Sequence, residues 1–502
     1  MENIKLGWAE VDLTPDKKVS LNGQFAERIS EYVEKPITAT ALAVTSGDEQ
    51  MVLVSCDLAI VPWNLLCAVR AGLEDNRVGI DPLKIIMGAI HTHTGPVFTE
   101  ARRTKGDHKT KDIVKLFIPP DKKYIERVSL AMNDQEIITP QEMFDLLVER
   151  LTQVILEAWN NLKEGSFVNA FGRAAVGMCR RVVYNDGSAK MWGDSNTEDF
   201  SHIEGGSDTG IELLYVYDDK KELSGIVANL ACPAQCVQHR SFISPDFWGE
   251  VKMLLREYFG EKIFLLPLLS AAGDQCPVDL IRWVEPESDL SDPNIVRTNP
   301  LKRKADPSMF DLSGMRKIGR RIAREIIDVY EEGLEASLEQ AEFKHIVRTM
   351  QLPVRRVSQE EADQAEKAIQ DYMQNKEGDI DFYDVALLQA HVGILRRLEF
   401  QKIVKAIDTE IHIVRLGNIA IATNPFELFL DYGNQMKARS HAEQTFLIEL
   451  ANGWDGYLPT ERAEKGGHYS AFVCSGQVGH IGGDQLVKET LEVLNTELFA
   501  GK

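Results

Sequence analysis

The chain has 502 residues, of which 44% are hydrophobic and 26% are charged, and its formal net charge is −21. That length and apolar content suffice for a large buried core, which excludes a disordered chain. The acidic balance, with no stripe of Lys and Arg, argues against partners such as nucleic acid or anionic lipid. The seven cysteines lack the regular spacing of a disulfide framework, so reduced thiols are expected.

Residues 1–7 are polar where a signal peptide would be apolar, and no segment of the sequence has the roughly 18 apolar residues of a membrane span. These features predict a soluble, cytoplasmic protein that acts on a small-molecule substrate. No repeat or linker forces a boundary, so the sequence is interpreted as a single domain over residues 1–502. Nothing in it indicates an oligomeric state.

Short aliphatic runs alternate with helical patterns, which predicts an α/β fold with mixed β-sheets and surrounding helices. One helix should begin after the N-cap Thr139, with Pro140 and Glu142 in its first turn, and continue to about Leu162. Buried strands that end in Gly, Pro, Asp or His are expected at Met51–Cys56, Lys84–Ile90, Gly225–Cys232 and Lys262–Leu269.

Further along the chain, Ser358 and Glu361 form a second capping-box pattern. Two helices separated at Gly378 are predicted there, as a helical hairpin inserted at residues 358–400. Beyond it, Glu410–Arg415 and Asn418–Thr423 should pair as a β-hairpin that leads to Glu427. The final helix is predicted at about Gln485–Leu498.

Two histidines follow the second predicted strand, in the segment Ile90-His91-Thr92-His93-Thr94-Gly95-Pro96. A spacing of two places both imidazoles on one face if the chain stays extended, which makes a usable arm of a metal site. A polar loop with no metal role explains such a pair about equally well.

Thiols lie at the ends of two other predicted strands. Cys276, in Gly273-Asp274-Gln275-Cys276-Pro277, is an exposed nucleophile in one interpretation and a small buried apolar residue in the other. Cys232 and Cys236 are four residues apart, and thiolate sulfur is a good zinc ligand, although zinc knuckles use a tighter spacing.

Residues 452–469 are rich in glycine and aromatic residues and include Tyr457 and Tyr469. The number of helix and strand breakers predicts a loop with no regular element. It is either a binding loop or a packed surface loop.

In this order, the segments resemble the catalytic domain of the neutral/alkaline non-lysosomal ceramidases over nearly the whole chain. The resemblance begins with the stretch from Gly7 to Pro15, Gly-Trp-Ala-Glu-Val-Asp-Leu-Thr-Pro, and continues with Ser55-Cys56-Asp57 and the histidine segment 90–96. It implies the fold of that domain and hydrolysis of an amide bond. The C-terminal β-sandwich domain of those enzymes is not expected here.

The resemblance also implies one bound Zn²⁺ ion. His91 matches a zinc ligand, Glu427 in Asn424-Pro425-Phe426-Glu427 matches the carboxylate ligand, and Tyr457 matches the tyrosine ligand. Cys232 stands where the family has a second zinc histidine. Gln235, Cys236 and His239 are alternatives for that ligand.

Other positions match residues that surround the metal in the family. His93 and Tyr469 should line the site, and Arg180 in Cys179-Arg180-Arg181 should orient a substrate oxygen or carboxylate. The family's nucleophile motif falls on 271–277, which adds Asp274 and puts Cys276 in the serine position.

These matches favour a zinc-dependent hydrolase in which metal-activated water attacks an amide or ester, with attack by a Cys276 thiolate as the alternative. A small soluble substrate, sugar-derived or N-acyl, is expected rather than ceramide. Two other functions stay open. One is a metal-dependent carbohydrate lyase or isomerase that uses Tyr457 or His93 as acid or base, and the other is a binding protein without catalysis.

Overall fold

The computed structural model of the protein describes residues 2–76, 79–98, 110–126, 129, 131, 134–281 and 310–500. Helices and strands are numbered in chain order. No helix in these ranges is both long and apolar enough to cross a bilayer. The helices are α1 (Trp63–Asn76), α2 (Thr110–Lys115), α3 (Pro140–Asn160), α4 (Phe247–Phe259), α5 (Asp311–Glu331), α6 (Gln359–Asn375), α7 (Phe382–Ile403), α8 (Leu430–Arg439), α9 (Glu461–Gly466) and α10 (His480–Glu492).

The α/β fold predicted from the sequence is confirmed: three larger sheets carry most of the strands, and helices surround them. The first sheet has the order β7 (Ile85–Ala89), β6 (Glu49–Cys56), β5 (Thr38–Ser46), β1 (Lys5–Asp12), β8 (Lys163–Glu164). The second has the order β17 (Phe264–Leu269), β15 (Leu223–Leu230), β14 (Gly210–Tyr217), β9 (Ser166–Arg173). The third has the order β19 (Phe343–Pro353), β20 (Ala406–Leu416), β21 (Ile419–Thr423), β23 (Gln444–Ile448).

Smaller sheets connect the loops around them. A three-stranded sheet has the order β12 (Ala189–Met191), β11 (Arg181–Tyr184), β13 (Phe200–Ile203). The two-stranded pairs are β2 (Ser20–Leu21) with β3 (Arg28–Ile29), β4 (Tyr32–Val33) with β16 (Phe242–Ile243), β10 (Met178–Cys179) with β18 (Gln275–Cys276), and β22 (Glu427–Leu428) with β24 (Tyr457–Leu458).

Each of the three larger sheets contains one parallel pair of strands. The pairs are β6 with β7, β15 with β17, and β21 with β23. The carboxyl ends of parallel strands meet at the same edge of a sheet, which is where α/β folds place their ligands. Backbone hydrogen bonds from Glu449 to Leu269 and from Asn452 to Met87 join these ends across the sheets.

The three sheets share one apolar core. Residues of β1 and β5 face residues of β14, β15 and β17 and residues of β20, β21 and β23 within it. Most strands of that core present β-branched or long aliphatic side chains, which fit a pleated buried surface. Central members are Leu42, Leu53, Val227, Leu268, Val414, Ile421 and Phe446.

Helices cover the outer faces of the sheets. The predicted capping box begins α3: Thr139 accepts the amide of Glu142, whose carboxylate accepts the amide of Thr139. Its buried face includes Leu147, Leu151 and Val154, in the same apolar cluster as residues of β5. The Ser358 capping box begins α6 in the same way, and α7 follows after Gly378, at φ +77°. The paired helices are confirmed, and their status as an insertion at residues 358–400 stays a prediction.

Two predictions about the C-terminal region are wrong. The last helix begins at His480 instead of about Gln485, and it passes into a π-helical turn at Val493–Leu498. A Cβ on Gly483 would lie 2.4 Å from the Tyr432 ring, so glycine is needed where α10 approaches α8. Residues 452–469 also contain regular elements, because β24 pairs in parallel with β22 and Thr460 caps α9.

We expect Phe446→Ala to lower the free energy of unfolding by about 3–5 kcal/mol, because the side chain is 2% exposed in the shared core. Phe171→Ala is the matched control: this Phe lies on β9, is 47% exposed, and should change stability by less than about 0.5 kcal/mol. Urea unfolding followed by circular dichroism measures both. Equal losses would contradict a core centred between the three sheets.

Candidate functional site

His91 and His93 lie in the loop that follows β7, and their Nε2 atoms are 3.2 Å apart. The sequence argument for this proximity, an extended chain, is wrong, because His91 has φ +63° in the left-handed region. A β-carbon makes that conformation costly, and such strain is typical of functional sites. The bend still brings the two imidazoles edge to face, with ring centroids 4.7 Å apart.

The hydrogen bonds of His91 define its tautomer. Nδ1 lies 2.7 Å from the carbonyl oxygen of Ala59 and therefore carries the proton. Burial lowers the pKa of His91, although the Glu427 carboxylate partly opposes the shift, so the ring is neutral near pH 7. Nε2 then presents a lone pair, 3.6 Å from an oxygen of Glu427.

His93 Nε2 has two neighbours, His91 and Gln235, and no single protonation state of this nitrogen suits both. Arg180 Nη1 donates to Gln235 Oε1 at 3.1 Å, so the amide nitrogen of Gln235 is the atom that faces His93 Nε2, at 3.0 Å. If His93 Nε2 is unprotonated, it can accept the Gln235 hydrogen bond, but it then lies close to the lone pair on His91 Nε2. If His93 Nε2 is protonated, its N–H faces the N–H of Gln235. A cation beside His91 Nε2 removes the conflict.

Glu427 and Tyr457 are held together by backbone pairing. They are register partners of the parallel pair of β22 and β24, and both are buried. Trp454 Nε1 donates to Glu427 Oε1 at 3.3 Å. Burial, followed by the Glu427 carboxylate, raises the pKa of Tyr457 well above its usual value. The Tyr457 and Tyr469 hydroxyls are 3.4 Å apart.

Arg180 extends into the site near these tyrosines. It is 4% exposed, and Nη2 donates to the carbonyl of Gly273 at 3.1 Å. Nε has no hydrogen-bond partner within the described ranges. Despite burial, the nearby Tyr457 and the Cys276 thiol favour the charged form and raise the pKa of Arg180. The site therefore has a fixed positive charge with one unused donor.

Asp274 stabilises the backbone at the base of the site. It is buried and accepts a hydrogen bond from the amide of Leu430, the first residue of α8, at 2.9 Å. An added Cβ on Gly273 would lie 2.3 Å from the carbonyl oxygen of Glu427, so only glycine allows this approach. These contacts give Asp274 a structural place, and a catalytic role for it stays a prediction.

Both thiols at predicted site positions are buried. Cys276 is 0% exposed and donates to the carbonyl of Val278 at 3.3 Å, which decides for the buried of its two interpretations. Burial raises the pKa of Cys276 to about 12 even though Arg180 opposes the shift. Cys232 donates to the carbonyl of Val176 at 3.4 Å, and burial also raises its pKa well above the usual value. The ligand role of Cys232 stays a prediction.

The alternatives to Cys232 as a metal ligand are Gln235, Cys236 and His239, and their surroundings differ. Gln235 lies inside the site, next to His93 and Arg180. His239 stacks on Phe310, with Nε2 3.5 Å from a carboxylate oxygen of Asp311. Cys236 is buried, and burial raises the pKa of its thiol well above the usual value.

Whether the site suits a metal ion depends on the donors that its side chains offer. In the described part of the chain, no group of three or more His, Cys, Asp and Glu side chains is arranged to hold one. The predicted set is His91, Cys232, Glu427 and Tyr457, and the three members other than the thiol lie together in the site. Neutral imidazole, carboxylate and phenol are chemically suited to zinc, and three protein ligands with an open position is the usual catalytic arrangement. The donor set therefore fits.

Several residues of the site escaped the sequence analysis. Arg28 Nη2 donates to the carbonyls of His93 at 2.6 Å and Asn22 at 2.7 Å, which fastens an N-terminal loop over the histidines. A Cβ on Gly23 would lie 2.3 Å from the His93 ring. Phe25, 62% exposed, contacts Tyr469 edge to face at 5.5 Å. This loop carries no signal of its function in the sequence.

Glu449 was also missed. It is 1% exposed and accepts the amides of Ala272 at 3.0 Å and Leu428 at 2.7 Å. It thereby joins the loop after β17 to β22. An acidic residue directly after an apolar strand was the available signal.

No family profile matches the chain, and no curated protein matches its sequence. Solved structures do match. Neutral ceramidase from Pseudomonas aeruginosa has a TM-score of 0.65 at 15% identity, over 98% of this chain and 74% of that one. A structure described as ceramidase complexed with C2 has a TM-score of 0.63 at 14% identity, over 98% of this chain and 75% of that one. The chain thus has the fold of the neutral ceramidases.

Proposed function

We propose that the protein is a metal-dependent hydrolase that cleaves an amide or ester bond of a small soluble substrate, sugar-derived or N-acyl. The observation that carries the proposal is the meeting of a neutral imidazole, a carboxylate and a phenol beside a buried arginine with an unused donor. The ceramidase fold of the structural neighbours supports the same reaction class.

His91, Glu427 and Tyr457 would hold the metal. A zinc ion there would supply Lewis-acid polarisation and lower the pKa of bound water to about 7. The conflict at His93 supports this placement, because a cation beside His91 leaves His93 Nε2 free to accept the Gln235 hydrogen bond.

The protein groups around this position suit hydrolysis. Burial lowers the pKa of His93 well below its usual value, so its neutral ring accepts the Gln235 amide at Nε2 and lines the site without adding a second positive charge. Arg180 Nε can donate to the substrate carbonyl oxygen, whose negative charge grows as the water attacks. Arg180 is buried and His93 is half-buried, and charge–dipole contacts are stronger in such surroundings than in water.

The mouth of the site supports a substrate of modest size. Phe25 and Trp454 are 62% and 40% exposed; Phe25 contacts the half-buried Tyr469, and Trp454 contacts the buried Glu427. Aromatic faces beside a polar floor suit a molecule with both apolar and oxygen-rich parts.

The proposal predicts that the wild type hydrolyses 4-nitrophenyl acetate or 4-nitroacetanilide, that dialysis against a chelator removes the activity, and that zinc restores it. Released nitrophenol or nitroaniline is measured by absorbance. Failure of the folded, zinc-supplied protein to cleave these and a panel of N-acyl sugars would overturn the proposal. An unsaturated product from a uronate would assign lyase chemistry in its place.

Arg180→Lys should lower kcat/KM by about 10²–10³, the usual effect of losing one donor to a developing oxyanion. The lysine keeps the charge but cannot reproduce the planar guanidinium. Arg173→Lys, on the exposed end of β9, is the control and should leave kcat/KM within about twofold. An Arg180→Lys enzyme as active as the control would remove Arg180 from the mechanism.

Cys276→Ser should retain kcat/KM within about threefold, because a buried thiol with a pKa of about 12 supplies almost no thiolate at neutral pH. In the native protein, iodoacetamide should modify the exposed Cys67 and leave Cys276 unmodified, as peptide mass spectrometry would detect. Loss of activity on substitution together with rapid alkylation of Cys276 would assign the thiolate as the nucleophile.

A further inference from the structure

Arg180 and Arg181 are consecutive in the sequence, but their side chains contact different parts of the protein. Arg180 extends into the site, whereas Arg181 is 0% exposed. Its Nε donates to Glu204 Oε2 at 2.6 Å and its Nη2 to Glu204 Oε1 at 3.0 Å, a bidentate pair inside the protein. Sequence analysis assigned no role to Arg181.

The remaining donors of Arg181 all reach one segment, residues 463–470. Nη2 donates to the carbonyls of Ala463 at 3.3 Å and Gly467 at 3.0 Å. Nη1 donates to the carbonyl of Tyr469 at 3.3 Å and to the Ser470 hydroxyl at 3.4 Å. One guanidinium thus contacts three backbone carbonyls, including that of Tyr469, and the side-chain hydroxyl of the next residue.

That segment has an unfavourable backbone. His468 and Ser470 have φ +70°, and the Gly467 between them and α9 has φ +72°. Non-glycine residues occupy the left-handed region only where their surroundings fix it. The contacts from Arg181 surround these residues, so they are the natural source of that constraint.

The segment presents Tyr469 to the site. Its ring lies 5.4 Å from the Tyr457 ring and 5.5 Å from the Phe25 ring, measured between centroids. A change of one φ angle in the segment would move the hydroxyl away from Tyr457. Tyr469 therefore needs an external support that its own sequence does not supply.

We propose that Arg181, paired with Glu204, is the positioning residue that holds Tyr469 in the site. Its geometric contribution cannot come from lysine, which offers three donors from one nitrogen in place of a planar fork. The expected effect of Arg181 on catalysis rests on the proposed hydrolase function, whereas its support of the backbone of residues 463–470 does not.

The structural part is tested by hydrogen–deuterium exchange and limited trypsin digestion of the full chain. Arg181→Lys should raise exchange in peptides that cover 463–470 and speed cleavage after Lys465 by about tenfold. Arg240→Lys is the matched control, since Arg240 forms another buried bidentate pair, with Asp311. It should leave both readouts of the segment unchanged.

Removing only the arginine leaves a buried charge on Glu204, which can unfold the protein. The double variant Arg181→Met/Glu204→Gln avoids that charge and should show the same release of the segment. Unchanged exchange and cleavage in both folded variants would overturn the proposal.

The catalytic part is tested by a double-mutant cycle with 4-nitrophenyl acetate. Arg181→Lys should lower kcat/KM about tenfold in the wild type and have almost no effect in the Tyr469→Phe background. If the two substitutions instead lower kcat/KM by factors that simply multiply in the double variant, Arg181 acts on something other than Tyr469. A wild type without turnover would refute the proposed function alone, since exchange and digestion still decide the support of the segment.

Discussion

The whole site depends on one constraint: three sheets must bring the carboxyl ends of their parallel pairs to the same place. Glu449 fastens that meeting point, because its buried carboxylate accepts amides from the loop after β17 and from β22. Burial raises the pKa of Glu449 well above its usual value, and the two amides only partly oppose the shift. The shared apolar core behind these ends makes the arrangement rigid.

The site built on this support concentrates polar groups in a buried space. His91, Glu427 and Arg180 are each less than 9% exposed. Burying such groups is costly unless they are paired, so their partial pairing supports the proposed binding role. The left-handed backbone at His91 supports the same conclusion, since strain there is paid for by the surrounding fold.

Elements with strong local signals could be predicted from the sequence. The capping boxes at Thr139 and Ser358 and the glycine turn at 417 gave α3, α6 and the hairpin of β20 and β21. Motif order identified the residues that meet around His91. What failed was long-range: the support from Glu449 and the loop with Arg28 depend on contacts between distant segments, and such contacts also decide between the two interpretations of Cys276. A glycine that allows close packing, such as Gly483, also looks like a helix breaker when only the sequence is known.

We propose a metal centre formed by His91, Glu427 and Tyr457. Its most direct test is metal content by ICP-MS on wild type purified without chelators, beside His91→Ala, Glu427→Ala, Tyr457→Phe and Cys232→Ser. Near-stoichiometric zinc is expected in wild type and its loss in His91→Ala, Glu427→Ala and Tyr457→Phe, whereas Cys232→Ser separately tests the predicted ligand role of that thiol. Wild type without metal, after supply of zinc, would contradict the claim, and loss in Cys232→Ser would add that thiol to the ligands.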